Sequence, residues 1–192
     1  LVHVFHVDTE RPVCLVGDDV RCKDLVAVVL VPGQRIALGA SCDHVGVSVA
    51  VGIWLGHERH GFDYSDEDQV REQLERARET VLRYRDHPAV LLWGIGNEME
   101  GFESGDNPAI WRAVNEVAAM VKKLDPHHPT MTVTAEIGGG RIEGVHRLSP
   151  AIDIHGVNAY GAASIVAERL RDGGASKPDA AGLLAARPGI GR

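Results

Sequence analysis

Strand-like and helix-like segments alternate along residues 47–177 of this chain. Runs of apolar, often β-branched residues predict four strands, over 47–55, 89–96, 130–135 and 152–157. Longer segments between and after them predict helices over 66–86, 108–124 and 164–171. Strands that alternate with helices of this length indicate βα units and a parallel sheet. The near-continuous apolar runs are typical of strands that are covered on both faces.

The helix predicted over 66–86 has one apolar face, with residues spaced by three or four: Val70, Leu74, Ala77, Val81 and Tyr84. Ser65 or Asp66 can cap its first turn, and the residue before Pro88 is pushed out of helical geometry. In the same way, Asn107 followed by Pro108 marks the start of the second helix.

Outside this alternating stretch the pattern is poor. Residues 1–46 are predicted to be a poorly patterned segment in which only the seven-residue apolar run over 25–31 suits a buried strand. Residues 179–192 are predicted to be an unstructured tail. The chain has 192 residues, short of the roughly 250 of a complete (β/α)₈ barrel.

Composition and charge exclude several classes of protein. The formal charge of −7 leaves no basic stripe to displace counterions from a nucleic acid, so no nucleic-acid partner is expected. No apolar run approaches the roughly 20 residues that cross a bilayer, so no membrane partner is expected. Cys14, Cys22 and Cys42 are interpreted as ordinary thiols. The chain opens on Leu1 without a signal-peptide pattern, which predicts an incomplete N-terminus and leaves the compartment unassigned.

Polar residues follow all four predicted strands. They are His57, Glu58 and His60 after the first, Asn97 and Glu98 after the second, Glu136 after the third, and Asn158 and Tyr160 after the fourth. Polar groups collected at the carboxyl ends of parallel strands are the layout of a barrel active site. A metal-dependent hydrolase is the weaker alternative, because His57-Glu58-Arg59-His60 is one residue short of the helical His-Glu-x-x-His motif. No metal and no cofactor are therefore expected.

Residues 87–98, His-Pro-Ala-Val-Leu-Leu-Trp-Gly-Ile-Gly-Asn-Glu, resemble the strand-4 signature of family 2 glycoside hydrolases, the relatives of β-galactosidases and β-glucuronidases. Residues 58–61, 125–130 and 154–160 resemble the family's segments after strand 3, before strand 5 and in strand 6. The resemblance covers residues 47–178 and implies an α/β fold, a partial (β/α)₈ TIM barrel. Strands 3 to 6 are recognisable, and both ends are degenerate or truncated.

The resemblance also implies roles. Retaining glycosidases use two carboxyl groups, one as acid/base and one as nucleophile. Glu98 would be the acid/base, Asn97 would contact the sugar 2-hydroxyl, and His60 would contact the sugar or the transition state. Asn158 and Tyr160 would end strand 6 beside the nucleophile, with Tyr160 hydrogen-bonded to it. Trp93 could offer a ring face to a sugar, and the alternative for Trp93 is an aromatic residue of the core.

The second carboxylate is missing from the expected place. Lys177-Pro178 resembles the approach to strand 7, but residues 179–192 contain no Glu and no strand pattern. The nucleophile is therefore predicted to be absent from this chain. Two functions remain open: a glycoside hydrolase that acts on β-linked sugars by the retaining mechanism, or an inactive fragment or sugar-binding pseudoenzyme. A carbohydrate is the expected partner in both, and the oligomeric state is not predicted.

Overall fold

The computed structural model describes residues 2–4, 26–29, 48–100, 107–135, 141–158, 166–174 and 177. These residues form a six-stranded parallel sheet whose strands lie in chain order: β1 Val2–Val4, β2 Val26–Val29, β3 Ser48–Ile53, β4 Val90–Asn97, β5 Thr130–Ala135 and β6 Ile154–Asn158. The helices are α1 Glu67–Tyr84, α2 Pro108–Leu124, α3 Arg141–Leu148 and α4 Val166–Asp172. Strands β3 to β6 are joined through α1, α2 and α3, and parallel strands connected in this way are the arrangement of a partial (β/α)₈ barrel, as predicted.

Both faces of the sheet are apolar. Side chains on one face of β3 and β4, among them Val51, Ile53 and Ile95, pack against α1 and α2 in the larger core cluster. On the other face a smaller cluster is formed by strand residues alone: Ala50, Leu92, Met131, Val133 and Ile154. This explains the near-continuous apolar runs in the sequence, because residues pointing either way from a strand are buried.

The helices begin where the sequence predicts. Asp66 caps α1, with its carboxylate accepting hydrogen bonds from the backbone N–H groups of Asp68 (3.0 Å) and Gln69 (3.2 Å). Asn107 caps α2 by accepting from the backbone N–H of Ala109 at 2.9 Å. The predicted apolar face of α1 lies against the sheet and α2, with Ala77 and Val81 buried.

Two elements are additions to the prediction. Within residues 1–46 the structure has β2 in the expected apolar run and adds the short strand β1. Helix α3 comes directly after three consecutive glycines in the sequence and contains Gly144, which obscures it in the sequence. Its signal is the spacing of three between Ile142, Val145 and Leu148, of which Ile142 and Val145 are 2% exposed. Cys14, Cys22, Cys42 and the tail 179–192 lie outside the described residues.

A buried chain of hydrogen bonds joins α3 to β5 and β6. His146 Nε2 and His155 Nδ1 lie 2.8 Å apart, and His155 Nε2 lies 2.9 Å from the hydroxyl of Thr134. Burial, aided by the charges of His146 and Lys177, lowers the pKa of His155 to about 4. Burial also lowers the pKa of His146. Both rings are therefore neutral in the folded protein near pH 7.

This burial makes stability depend on pH. A histidine with a pKa of 6.5 when unfolded and about 4 when folded binds more protons in the unfolded chain between those values. Its contribution is complete above pH 6.5 and is lost as the pH falls towards 4. From pH 7.5 to pH 5, His155 alone is expected to remove about 2 kcal/mol from the free energy of unfolding. Urea unfolding at both pH values measures this loss. The loss of unfolding free energy should be smaller in His155→Gln and unchanged in the control His127→Asn, whose position is exposed. An equal loss in the wild type and both variants would contradict the assignment of this pH dependence to His155.

Candidate active site at the carboxyl ends of the strands

The end of β4 is bent, which changes where its last side chains point. The pairing of β4 with β5 shifts register between Gly94 and Asn97, and Gly96 has a φ of +66°. A Cβ at Gly96 would also lie 2.7 Å from the Cγ of Met99, so both backbone and space require glycine there.

Glu98 is the first residue after Asn97, where β4 ends. Its φ of +49° is uncommon for a residue other than glycine. Its backbone N–H donates to the carbonyl of Val133 on β5 at 2.8 Å. Strained backbone held by its surroundings is often found at functional sites.

The side chain of Asn158 connects the ends of β6 and β4. Its Nδ2 donates to Asn97 Oδ1 at 3.0 Å and to Glu98 Oε1 at 2.8 Å. Because β5 lies between these two strands, the amide reaches across the strand end of β5. The structure therefore brings together three of the residues predicted for the site, Asn97, Glu98 and Asn158. The hydrogen bond from Asn158 orients the Glu98 carboxyl group from the β6 side.

The loop after β3 forms the other side of the site. It contains a single 3₁₀ turn over Glu58–His60 and is fixed at its start, where the backbone N–H of Gly56 donates to Gln73 and the carbonyl of Gly56 accepts from the Tyr64 hydroxyl, both at 2.6 Å. A side chain at Gly56 would collide with the ring of Phe62. The structure thus holds this loop firmly against α1.

Within this turn, Glu58 Oε1 accepts a hydrogen bond from Asn107 Nδ2 at 2.5 Å, which ties the loop to the start of α2. His60 is exposed, and its ring centroid lies 5.9 Å from that of His57. Among the residues that the structure describes, no group of three or more His, Cys, Asp or Glu residues is arranged to hold a metal ion.

Two buried polar residues close to Glu98 have no role in the sequence prediction, which places His57 after the first strand without a function and does not name Glu100. His57 is 3% exposed, and the charge of Glu98 acts on its ring. Glu100 is also 3% exposed, and its carboxylate accepts a hydrogen bond from the backbone N–H of Ala135 at the end of β5. Glu100 therefore ties the loop after β4 to β5. For Glu100, the only signal in the sequence is its closeness to the Asn97-Glu98 motif.

Trp93 does not have the suggested sugar-stacking role. It lies in the middle of β4, is fully buried among core residues, and its Nε1 donates to Asp125 Oδ2 at 2.9 Å. A ring enclosed on all sides cannot stack on a sugar, so the core alternative is correct. Tyr160 and Glu136 lie outside the described residues.

Asp125, the partner of Trp93, organises the segment before β5. Burial would raise the pKa of Asp125, but hydrogen bonds from His128, Trp93 and the backbone N–H of His127 outweigh it and hold the pKa below its usual value. This group lies at the amino end of the strands, opposite the candidate site, so it stabilises the barrel and takes no part in the site.

The chain matches the family described as glycosyl hydrolases family 2, TIM barrel domain, over residues 38–161. Since this match covers more than half of the chain, the chain belongs to glycosyl hydrolases family 2 and contains part of its TIM barrel domain.

Two relatives are similar to part of the chain. A probable mannan endo-1,4-β-mannosidase C of Aspergillus terreus is 34% identical over 98 residues, covering 45% of this chain and 24% of the relative. Mannan endo-1,4-β-mannosidase F of Aspergillus clavatus is 30% identical over 98 residues, covering 51% and 21%. The chain thus spans about a quarter or less of the length of these relatives.

Solved structures show the same fold. β-Glucuronidase 3 of Bacteroides uniformis superposes with a TM-score of 0.57 at 18% identity, covering 80% of this chain and 19% of that one. The β-D-glucuronidase of Dictyoglomus thermophilum superposes with a TM-score of 0.57 at 19% identity, covering 80% and 29%. Within the described part of the chain, no helix is both long and apolar enough to span a membrane.

Proposed function

We propose that this chain is the central part of the catalytic barrel of a retaining β-glycosidase, with Glu98 as its acid/base. The observation that carries the proposal is the Asn158 amide, which holds Asn97 and Glu98 together at the carboxyl ends of the strands. An oriented carboxyl group beside an amide that can bind a sugar hydroxyl is what the first step of such a reaction needs.

In that step Glu98 gives its proton to the glycosidic oxygen as the bond to the anomeric carbon breaks, and a second carboxylate attacks that carbon. The leaving alcohol departs, and a glycosyl-enzyme ester remains. In the second step the Glu98 carboxylate takes a proton from water, whose oxygen attacks the anomeric carbon and releases the sugar. The proposal places the second carboxylate outside residues 1–192, because no Glu follows Lys177.

The proposed substrates are β-linked sugars. Two of the relatives are named as mannan endo-1,4-β-mannosidases, so β-mannosides are the first substrates to test. The proposed assay incubates the complete gene product, with whatever chain the gene adds to these residues, with 4-nitrophenyl β-mannoside, β-glucoside, β-galactoside and β-glucuronide and with β-1,4-mannan. Release of nitrophenol or reducing sugar from at least one supports the proposal.

A sugar-binding pseudoenzyme is the second candidate, and the missing Glu after Lys177 favours it. The same protein titrated with mannobiose in a calorimeter distinguishes the two. Binding without release of product from any of the substrates would reject the hydrolase and support the pseudoenzyme.

Asn158→Ala is expected to lower kcat/KM about 10- to 100-fold, because it removes the side-chain hydrogen bond that orients the Glu98 carboxyl group. The control is Asn115→Ala, which makes the same change away from the site, where Asn115 Oδ1 accepts a hydrogen bond from the backbone N–H of Ala151 at 2.8 Å. The control should lower stability and leave kcat/KM unchanged. Similar kinetics for both variants would contradict a role of Asn158 in orienting Glu98.

A further inference from the structure

The ring of His57 has a buried nitrogen atom that makes no hydrogen bond within the described part of the chain. Its Nε2 is closed to solvent and has no hydrogen-bond partner among the described residues. Buried polar atoms are nearly always hydrogen-bonded, because leaving one unpaired destabilises the fold. Packing does not require a polar ring here, since an apolar ring would fill the same space without an unpaired nitrogen.

The ring of His57 is held in place from several sides. Its centroid lies 5.2 Å from that of Trp54 and 5.9 Å from that of His60. The backbone carbonyl of His57 accepts hydrogen bonds from the backbone N–H groups of His60 at 2.9 Å and of Phe62 at 3.2 Å. The unpaired nitrogen is therefore a fixed feature of the anchored loop after β3.

Three charged or titratable groups act on this ring: Arg59 and His60 on its own loop, and Glu98 after β4. Burial, with Arg59 and His60, lowers the pKa of His57 to about 4, and the charge of Glu98 opposes this shift. His57 is therefore a neutral imidazole near pH 7. A neutral ring can hydrogen-bond a carboxyl group without adding a positive charge that would pull the proton off it.

We propose that His57 is a positioning residue for the acid/base carboxyl, with its Nε2 completing a hydrogen bond to Glu98 during the reaction. This inference rests on the proposed function of Glu98 and adds a second support to it: Asn158 holds the carboxyl from the β6 side, and His57 meets it from the β3 side. Two supports on opposite sides restrict the carboxyl to the orientation that faces the glycosidic oxygen.

The test compares His57→Phe, which keeps the ring but not the nitrogen, with His57→Gln, which keeps a hydrogen-bonding group. In the complete gene product, His57→Phe should lower kcat about 10- to 100-fold on glycosides with poor leaving groups, with KM unchanged. It should affect 2,4-dinitrophenyl glycosides far less, because their departure needs little proton donation. His57→Gln should recover most of the loss, and the exposed matched control, His127→Phe, should show none.

Thermal unfolding separates folding from function: His57→Phe should be at least as stable as the wild type, because it removes an unpaired buried nitrogen. A loss of kcat that is equal for good and poor leaving groups, or equal in the Phe and Gln variants, would overturn the inference. So would unchanged kcat in His57→Phe. If the wild type itself turns over no glycoside, the proposed function fails, and the inference fails with it.

A measurement without turnover checks the geometry independently. The ¹⁵N resonance of His57 Nε2 should move between the wild type and Glu98→Ala, because the substitution removes the Glu98 charge that acts on the ring. The resonances of His127, at the opposite end of the strands, should stay in place. An unmoved His57 resonance would overturn the inference even in an active enzyme.

Discussion

Glu98→Gln is expected to slow hydrolysis of oligosaccharides and alkyl β-glycosides about 100- to 10,000-fold, the range typical of a lost general acid. The glutamine amide keeps the size and the contact with Asn158 but has no proton to give to the leaving oxygen. With 2,4-dinitrophenyl glycosides the first step should stay fast and the second should become slow, because water then lacks its base. A burst of dinitrophenol followed by slow turnover measures both effects.

The matched control for this prediction is Glu116→Gln, which makes the same change at an exposed position on α2. It should keep wild-type rates on every substrate. An equal loss on activated and unactivated substrates in Glu98→Gln would count against Glu98 as the acid. Azide added to Glu98→Ala gives a further check, because an anion that needs no base should replace water and yield a β-glycosyl azide.

Trp93→Ala is expected to lower the free energy of unfolding by about 3–5 kcal/mol, the largest change in stability that a single substitution here should produce. The substitution empties a fully buried position between β4 and the helices. It also removes the indole hydrogen bond to Asp125. Trp93→Phe, which keeps most of the ring, should fall between the wild type and Trp93→Ala.

Urea unfolding measures these differences, with Leu82→Ala as the control because Leu82 is 48% exposed on α1. That control should change the free energy of unfolding by less than about 0.5 kcal/mol. If Trp93→Ala were as stable as the wild type but bound sugar more weakly, the core position assigned to Trp93 would be wrong.

Where local pattern and burial agree, the sequence predicts the fold closely. The strand predicted over 130–135 has the same bounds in the structure, and the caps Asp66 and Asn107 start their helices as expected. These features depend on residues a few positions apart. Helix α3 and strand β1 escape prediction because they are short, so packing against the sheet determines them more than their own sequence does.

In the candidate site, too, the sequence predicts the residues of a local motif but not the contacts between distant residues. Asn97 and Glu98 belong to a contiguous motif and are found from sequence. The contact of Asn158 with Glu98 joins residues 60 positions apart, so only the folded sheet reveals it. The burial of Trp93 likewise depends on which way its side chain points from the strand, and a continuous apolar run does not encode that direction. The burial of His57 depends on how the loop after β3 folds back, which the strand pattern before it does not encode.

The retaining mechanism is tested most directly by proton NMR of the first-formed sugar while the complete gene product hydrolyses a β-linked glycoside. Two displacements at the anomeric carbon restore its configuration, so we expect the β-anomer to appear first and the α-anomer to form later by mutarotation. The α-anomer as first product would contradict a retaining mechanism with Glu98 as acid/base. Bound sugar with no product of either form would contradict hydrolysis itself.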